Sequence, residues 1–448
     1  MLAETDALTI YQRPGELLKQ LIRFDTTNPP GNEAACIGYI SDLLRAAGIE
    51  STLLALDPAR PNVIARLRGR GDAPPLLLYG HVDVVTTEHQ DWTYPPFAAV
   101  EADGFIWGRG TLDMKGGVAM MVAAFLRAHA EGLSLPGDVI LAVVSDEEAA
   151  GAMGARYLVE QHAERFTGVR FAIGEFGGFT FYSAGQRFYP IMVSEKQSCA
   201  VRATVLGPGG HAAFRAPQGN AIGKLARFLT RLERRRLPVH VTPITRLMVE
   251  KLASASPRHQ AVVLRQLLNP ALTDRILDLL GAQVETFDPL LHNTVNATIV
   301  RGGEKSNVIP SEVTVELDGR MLPGFTQEQM LAELRQFAGP DVAFEAIYPP
   351  DPGPSDTPDM GLFATLADIL REGDPGGIPM PYLLAAVTDA RFFSRIGIQT
   401  YGFLPMRLPK GWNFTQLIHA ADERIPVEAV AYGADAIHAV LQRFGQAQ

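Results

Sequence analysis

The stretch LLLYGHVDVV, residues 76–85, sets the architecture. Leu76 to Tyr79 is wholly apolar, as a strand covered on both faces must be. The chain then runs directly into Gly80, His81, Val82 and Asp83. A buried strand delivering polar side chains at its carboxyl end is the arrangement by which open parallel sheets build sites. Outward from it the same rhythm repeats. Val63 to Leu67 reads as a strand, Gly117 to Glu131 as a helix, Val139 to Val144 as a second continuous apolar strand, Ala149 to His162 as a helix and Phe171 to Ile173 as a further strand. Upstream, Pro14 to Arg23 and Glu33 to Ala47 have amphipathic helical patterns. Strands alternating with helices predict a mostly parallel, layered α/β sheet with helices on both faces.

Near residue 190 the pattern changes. Cys199 to Leu206 alternates as a half-exposed strand does, Asn220 to Arg234 is helical, and Thr294 to Arg301 and Val308 to Leu317 read as strands around Gly302-Gly303-Glu304. A helix over Gln327 to Phe337 and a strand over Val342 to Ile347 complete a βαββαβ order, the ferredoxin-like plan. Residues 237–291 are extra to it and read as helical. After the proline-rich stretch 348–358 the helix–strand rhythm returns. The expected division is a catalytic α/β domain over 1–190 and 351–448 with a ferredoxin-like domain over 191–350 inserted into it.

Composition narrows the function. The chain has 448 residues, more than one compact core normally serves. Its formal charge of −9 opposes nucleic-acid binding, which depends on neutralising phosphates. The longest near-apolar run, Gly117 to Leu126, is too short to span a bilayer, and the acidic start MLAETDALTIYQRPGE lacks a signal-peptide pattern. Two cysteines, Cys36 and Cys199, far apart, fit a reducing, cytoplasmic setting. The four arginines within 231–236 read as a solvated helix end.

Three predicted strands end in ligand chemistry: His81 and Asp83 after one, Ser145-Asp146-Glu147-Glu148 after another, Glu175 after the third. A glycine-rich segment places Asp113 before a helix. In extended chain His81 and Asp83 point to the same side, so the imidazole can bind a metal while Asp83 orients its surroundings. A pair of ions needs a bridging carboxylate, for which Asp113 is the candidate. Of the adjacent Glu147 and Glu148, one can bind while the other takes a proton from water. His with Asp and Glu suits zinc, cobalt or manganese. Each fragment also has a plain structural reading. Ser145 with Glu148 fits a helix capping box, Asp113 fits an acidic helix start, and Glu175 fits a turn. Their coincidence at strand ends favours a metal site.

These residues resemble the two-zinc metallopeptidase family of aminoacylase, acetylornithine deacetylase, succinyl-diaminopimelate desuccinylase, glutamate carboxypeptidase, carnosinase and peptidase T. The resemblance is carried by LLLYGHVDVV (76–85), WGRGTLDMKGGVA (107–119), SDEEAAGAMGARYLV (145–159), GPGGHAAFRAP (207–217), GGEKSNVIPSEVTVELDGRMLPG (302–324), AVTDARFF (386–393) and IHAADERIPVE (418–428), in the family's order. It implies two zinc ions, with cobalt or manganese as substitutes. Their ligands are His81, Asp113, Glu148, Glu175 and His419, with Asp113 bridging. It further implies Glu147 as general base, Asp83 as the acid orienting His81, and an inserted lid and dimerisation domain. His211 resembles the histidine that reaches a partner subunit's site. Asn307, Arg320 and Thr388 resemble groups that hold the substrate. Ala386-Val387 departs from the family's usual glycine pair before Thr388-Asp389. The implied reaction is hydrolysis of an amide or peptide bond in a small substrate with a free carboxylate, an N-acyl amino acid or a short peptide. A non-catalytic binding relative and an unrelated zinc aminopeptidase are the alternatives.

Overall fold

The computed structural model describes residues 9–214, 218–281, 284–349 and 353–445. The first residues of the acidic N-terminal stretch, the last three of the 207–217 motif and part of the 348–358 stretch lie outside the described residues. The chain divides into two compact units. One comprises Met1–Val193, Asp359–Tyr382 and Thr388–Gln448; the other comprises Ser194–Pro358 and Leu383–Val387.

The first unit is built on a nine-stranded sheet. Its strands are β1 (Ser51–Leu54), β2 (Asn62–Leu67), β3 (Leu76–His81), β4 (Val139–Val144), β5 (Phe171–Gly174), β6 (Gln186–Glu195), β7 (Gly377–Leu384) and β8 (Gln399–Gly402), in the order β1-β2-β4-β3-β5-β8-β6-β7, with the short strand Phe181–Ser183 paired to β6. At its centre β4, β3, β5 and β8 run parallel. β1 and β2 are antiparallel on one side, and β6 joins β8 antiparallel on the other. β3 and β4 are buried at every position, which is why they read as unbroken apolar runs. Helix α1 (Pro14–Ile22) packs with α2 (Lys115–Ala130) and with α3 (Val427–Arg443) on the sheet. α2 is apolar almost all round because it is buried on nearly all sides.

Two expectations need correction. The helix expected over 149–162 begins only at Ala155 and ends at Gln161. Asp146 and Ala150 hold left-handed backbone, at φ of 73° and 85°, so the chain after β4 makes a tight loop before it can turn helically. The capping box is absent for the same reason: the Ser145 hydroxyl donates to the Pro61 carbonyl. Secondly, 308–317 is two elements. Val308–Ile309 pairs with Gly210–His211, and Glu312–Met321 enters a different sheet. Pro310, which has no N–H to give a ladder, separates them.

The second unit carries a four-stranded antiparallel sheet. Its spatial order is Thr294–Arg301, Glu312–Met321, Gln197–Leu206, Val342–Ala346. With helices Ala221–Arg234 and Gln327–Ala338 between strands, this is the βαββαβ connectivity. Its core includes Val201, Val315, Leu317, Phe228 and Leu334. The extra region forms helices Pro243–Ser254, Arg258–Gln266, Thr273–Leu280 and Val284–Leu291, which bury a small cluster around Leu267, Leu277 and Leu291. The arginine cluster is used structurally. Arg231 donates to the carbonyls of Phe337 and Ala338, closing a helix end, while Arg236 pairs with Asp278 and Asp288.

Asn62 ties the loop after β4 to the sheet edge. Its carboxamide donates to the carbonyls of Leu54 and Met153 and accepts the Ser145 amide at 3.0 Å. Asn62→Ala strands those buried groups and should lower the unfolding free energy by about 2–4 kcal/mol, measured by urea denaturation against the parent protein.

Candidate metal centre

Four loops of the first unit meet above the carboxyl ends of β3, β4 and β5. His81 is the last residue of β3, Glu147 and Glu148 follow β4, and Glu175 follows β5. Gly177 lets the Glu175 loop lie against β8, because a Cβ there would sit 2.0 Å from the Gly402 carbonyl oxygen. Asp113 and His419 come from loops linked by strand pairing. Phe105–Trp107 precedes the Asp113 loop, and it pairs with Arg424–Pro426, which follows His419. That ladder joins segments more than 300 residues apart in sequence.

The donors form two sets that share one residue. His81, Asp113 and Glu175 make one; Asp113, Glu148 and His419 make the other. Within each set the ligand atoms lie within 4.8 Å of one another. His81 Nε2 is 3.2 Å from Asp113 Oδ1 and 3.7 Å from Glu175 Oε2. His419 Nε2 is 3.3 Å from the other Asp113 oxygen and 3.2 Å from Glu148. Asp113 thus offers one oxygen to each set. Glu147 belongs to neither, though its Oε2 is 3.9 Å from His81 Nε2.

Two buried carboxylates hold this geometry through backbone amides. Asp83 accepts from the amides of Glu147 at 3.1 Å and Glu148 at 3.0 Å, and from the Asn28 side chain at 2.8 Å. His81 Nδ1 meets the Asp83 backbone carbonyl at 3.0 Å, nearer than the Asp83 carboxylate at 3.5 Å. A proton on Nδ1 leaves Nε2 free to bind. Asp83 therefore orients the glutamate pair as well as the imidazole. Glu423, which sequence reasoning did not single out, does the same for the Asp113 loop. It accepts from the amides of Gly110, Leu112 and Asp113 at 2.9, 2.7 and 3.1 Å, and pairs with buried Arg109 at 2.7 Å. Its signal was its place in the motif at 418–428.

Electrostatics test whether cations fit. Burial, then neighbouring Glu175, raises Glu147 well above the ordinary carboxylate range. Burial raises Glu175 too, and pushes Glu148 up to about 7. Burial works against a charged His81, yet hydrogen bonds to Asp113, Asp83 and Glu175 hold its pKa well above the usual value. Hydrogen bonds to Asp113 and Glu148 push His419 up to about 10. Asp389, named in the sequence only beside Thr388 in its loop motif, is buried nearby. Neither of its oxygens has a hydrogen-bond partner among the described residues, and burial pushes it up to about 7. Crowded carboxylates that take up protons are short of positive charge. Two divalent cations, one per donor set, answer that shortage. The residues fit the metals.

The remaining candidates belong to neither donor set. Thr388 is buried in the first unit, and its hydroxyl accepts the Ala390 amide. His211 and Asn307 belong to the second unit, both exposed, on the two-stranded ribbon where the Ala212 amide meets the Asn307 carbonyl at 3.0 Å. Arg320, in the same unit, pairs with Asp318.

Glu423→Gln keeps the shape of the Asp113 support but turns part of an acceptor into a donor. We expect cation affinity to fall about 10–100-fold, measured by titration against a chelating dye.

Comparison with known proteins gives the chain's family. The sequence signature of Peptidase family M20/M25/M40 matches residues 77–443. The N-fatty-acyl-amino acid synthase/hydrolase of Homo sapiens is 29% identical over 368 residues, 79% of this chain and 71% of that protein. The succinyl-diaminopimelate desuccinylase of Paracoccus denitrificans is 28% identical over 444 residues, 98% of this chain and 100% of that protein. Among solved structures, a dinuclear metal binding peptidase of Bacillus subtilis superposes with a TM-score of 0.60 at 16% identity, covering 97% of this chain and 98% of that one. With the family's signature matched from β3 to the last helix, a span that contains both donor sets, the chain belongs to peptidase family M20/M25/M40.

Proposed function

We propose that this metallohydrolase cleaves an amide or peptide bond in a small substrate with a free carboxylate, with Glu147 moving the proton. The observation that carries the reading is Asp113, shared between two donor sets while a buried glutamate beside them stays outside both. In this reading His81, Asp113 and Glu175 hold one zinc ion and Asp113, Glu148 and His419 the other; cobalt and manganese suit the same donors. When bound, such ions acidify a water and polarise the scissile carbonyl.

The chain's residues do the rest. Glu147 takes a proton as the water oxygen joins the carbonyl carbon. It returns that proton to the nitrogen as the C–N bond breaks, leaving an amine and a carboxylic acid, whose remaining proton passes to the amine or to solvent. Its raised proton affinity suits this double duty. Asp83 and Glu423 keep the amide backbones of both loops from shifting during the transfer. His211 is assigned to the oxyanion of a partner subunit's site, Asn307 and Arg320 to the substrate's carboxylate end, and Thr388 to substrate binding. The exposed pair His211 and Asn307 on one ribbon supports that assignment. A homodimer through the second unit is supported by its edge strand Thr294–Arg301, which exposes Ile299 and Val300. Two free, buried cysteines suit a cytoplasmic setting. Among the described residues no helix is long and apolar enough to cross a membrane.

Glu147→Gln should lower kcat by about 10²–10⁴-fold or more with metal content unchanged, followed by steady-state assay and elemental analysis. Retention of more than a tenth of the parent kcat removes Glu147 as the base. His419→Ala should reduce bound zinc from two ions to one per chain by the same elemental analysis. Zinc in about 100-fold excess over its Kd should stabilise the chain by about 2.7 kcal/mol per site, read as a rise in unfolding midpoint that a chelator reverses. An unchanged midpoint, together with no hydrolysis of acetylated amino acids or dipeptides, would favour a non-catalytic relative instead.

A further inference from the structure

Next to the donor sets lies a small cavity of about 20 Å³. Asp113 and Glu175 form part of its wall. The remaining side chains are apolar, chiefly Leu112, Phe179, Leu404, Met406 and Phe414, all five buried. The Phe179 and Phe414 rings meet edge to face at 4.3 Å, which closes one side. A cavity of this measure must reach about 10–15 Å³ to hold one water, so this one has room for at least a small group such as a methyl. No basic side chain lines it. The loop that forms it is also strained. Phe176 holds φ of 68°, a left-handed conformation that a bulky residue keeps only where its surroundings impose it, commonly at functional sites.

We propose that this cavity receives the substituent on the acyl side of the scissile carbonyl and restricts it to a small apolar group, such as the methyl of an acetyl. The inference rests on reading the centre as hydrolytic. Glu147 must face the departing nitrogen to protonate it, and Glu147 is not part of the cavity wall, whereas the ligand candidates Asp113 and Glu175 are. With nitrogen turned toward Glu147, the carbonyl's other substituent points toward the cavity. A succinyl group would bring a carboxylate into mostly apolar surroundings, where no basic side chain among the described residues lines the wall to pair it. A long acyl chain would meet Met406 and Phe414.

The test compares one amino acid carrying acetyl, propionyl, hexanoyl or succinyl groups. It measures kcat/KM on the zinc-loaded protein, and binding of the same series to Glu147→Gln by calorimetry. Acetyl should exceed hexanoyl and succinyl by at least about 10-fold in both readouts, the discrimination a tight apolar pocket achieves. Met406→Ala should raise the hexanoyl-to-acetyl ratio at least about 10-fold. Succinyl or hexanoyl equal to or better than acetyl in the parent protein overturns the inference and leaves the hydrolase reading intact. So does an unchanged ratio in a folded Met406→Ala variant. No hydrolysis of any member by zinc-loaded protein overturns the inference, and the hydrolase reading falls with it when dipeptides are left uncut as well.

Discussion

Like charges buried close together are the constraint on which this structure depends. Asp83, Asp113, Glu147, Glu148, Glu175 and Asp389 crowd around buried His81 and half-exposed His419. Such a cluster is unfavourable unless positive charge enters it, since a buried carboxylate without a partner loses its hydration and gains nothing. Much of the first unit serves to hold that unfavourable arrangement still. Three parallel strands fix where the loops start, and two further carboxylates fix how they run.

Those two supports act alike. Asp83 and Glu423 spend their oxygens on backbone amides of the loops that carry ligand candidates. A carboxylate that accepts several N–H groups stabilises its own charge and removes freedom from the loop. Around Asp83 the network spreads further: Asn28 links Asp83 to Asp146, and Arg60 joins Asp146 to buried Glu33. Left-handed backbone at Asp146, Phe176 and His419 marks the same places. Local conformational preference is overruled there because the surrounding packing demands a particular direction from each side chain.

The second unit obeys simpler rules. Alternating strands with one face buried, capped helices and a core of Val, Leu and Phe make an ordinary packed layer. Its four extra helices have a separate small cluster and their own ion pairs around Arg236. Among its described residues nothing carries the crowding of charge seen in the first. The chemistry is concentrated in one place and the support distributed over many.

Read alone, the sequence determined the buried strands, because an unbroken apolar run such as Leu76–Tyr79 or Val139–Val144 has few other places to go. It determined the βαββαβ plan, since alternation and helical periodicity are local patterns. Through its motifs it also named His81, Asp113, Glu147, Glu148, Glu175 and His419 as belonging together. Only the tertiary structure decided how. That Asp113 faces both sets depends on a ladder between Phe105–Trp107 and Arg424–Pro426. The backbone that presents Glu147 and Glu148 is held by Asp83, which accepts both amides. The late start of the helix at Ala155, the role of Glu423 and the apolar cavity beside Glu175 likewise arise from contacts between residues distant in the chain. Periodicity reports which face of an element is buried. It carries no information about which loop of another element will meet it.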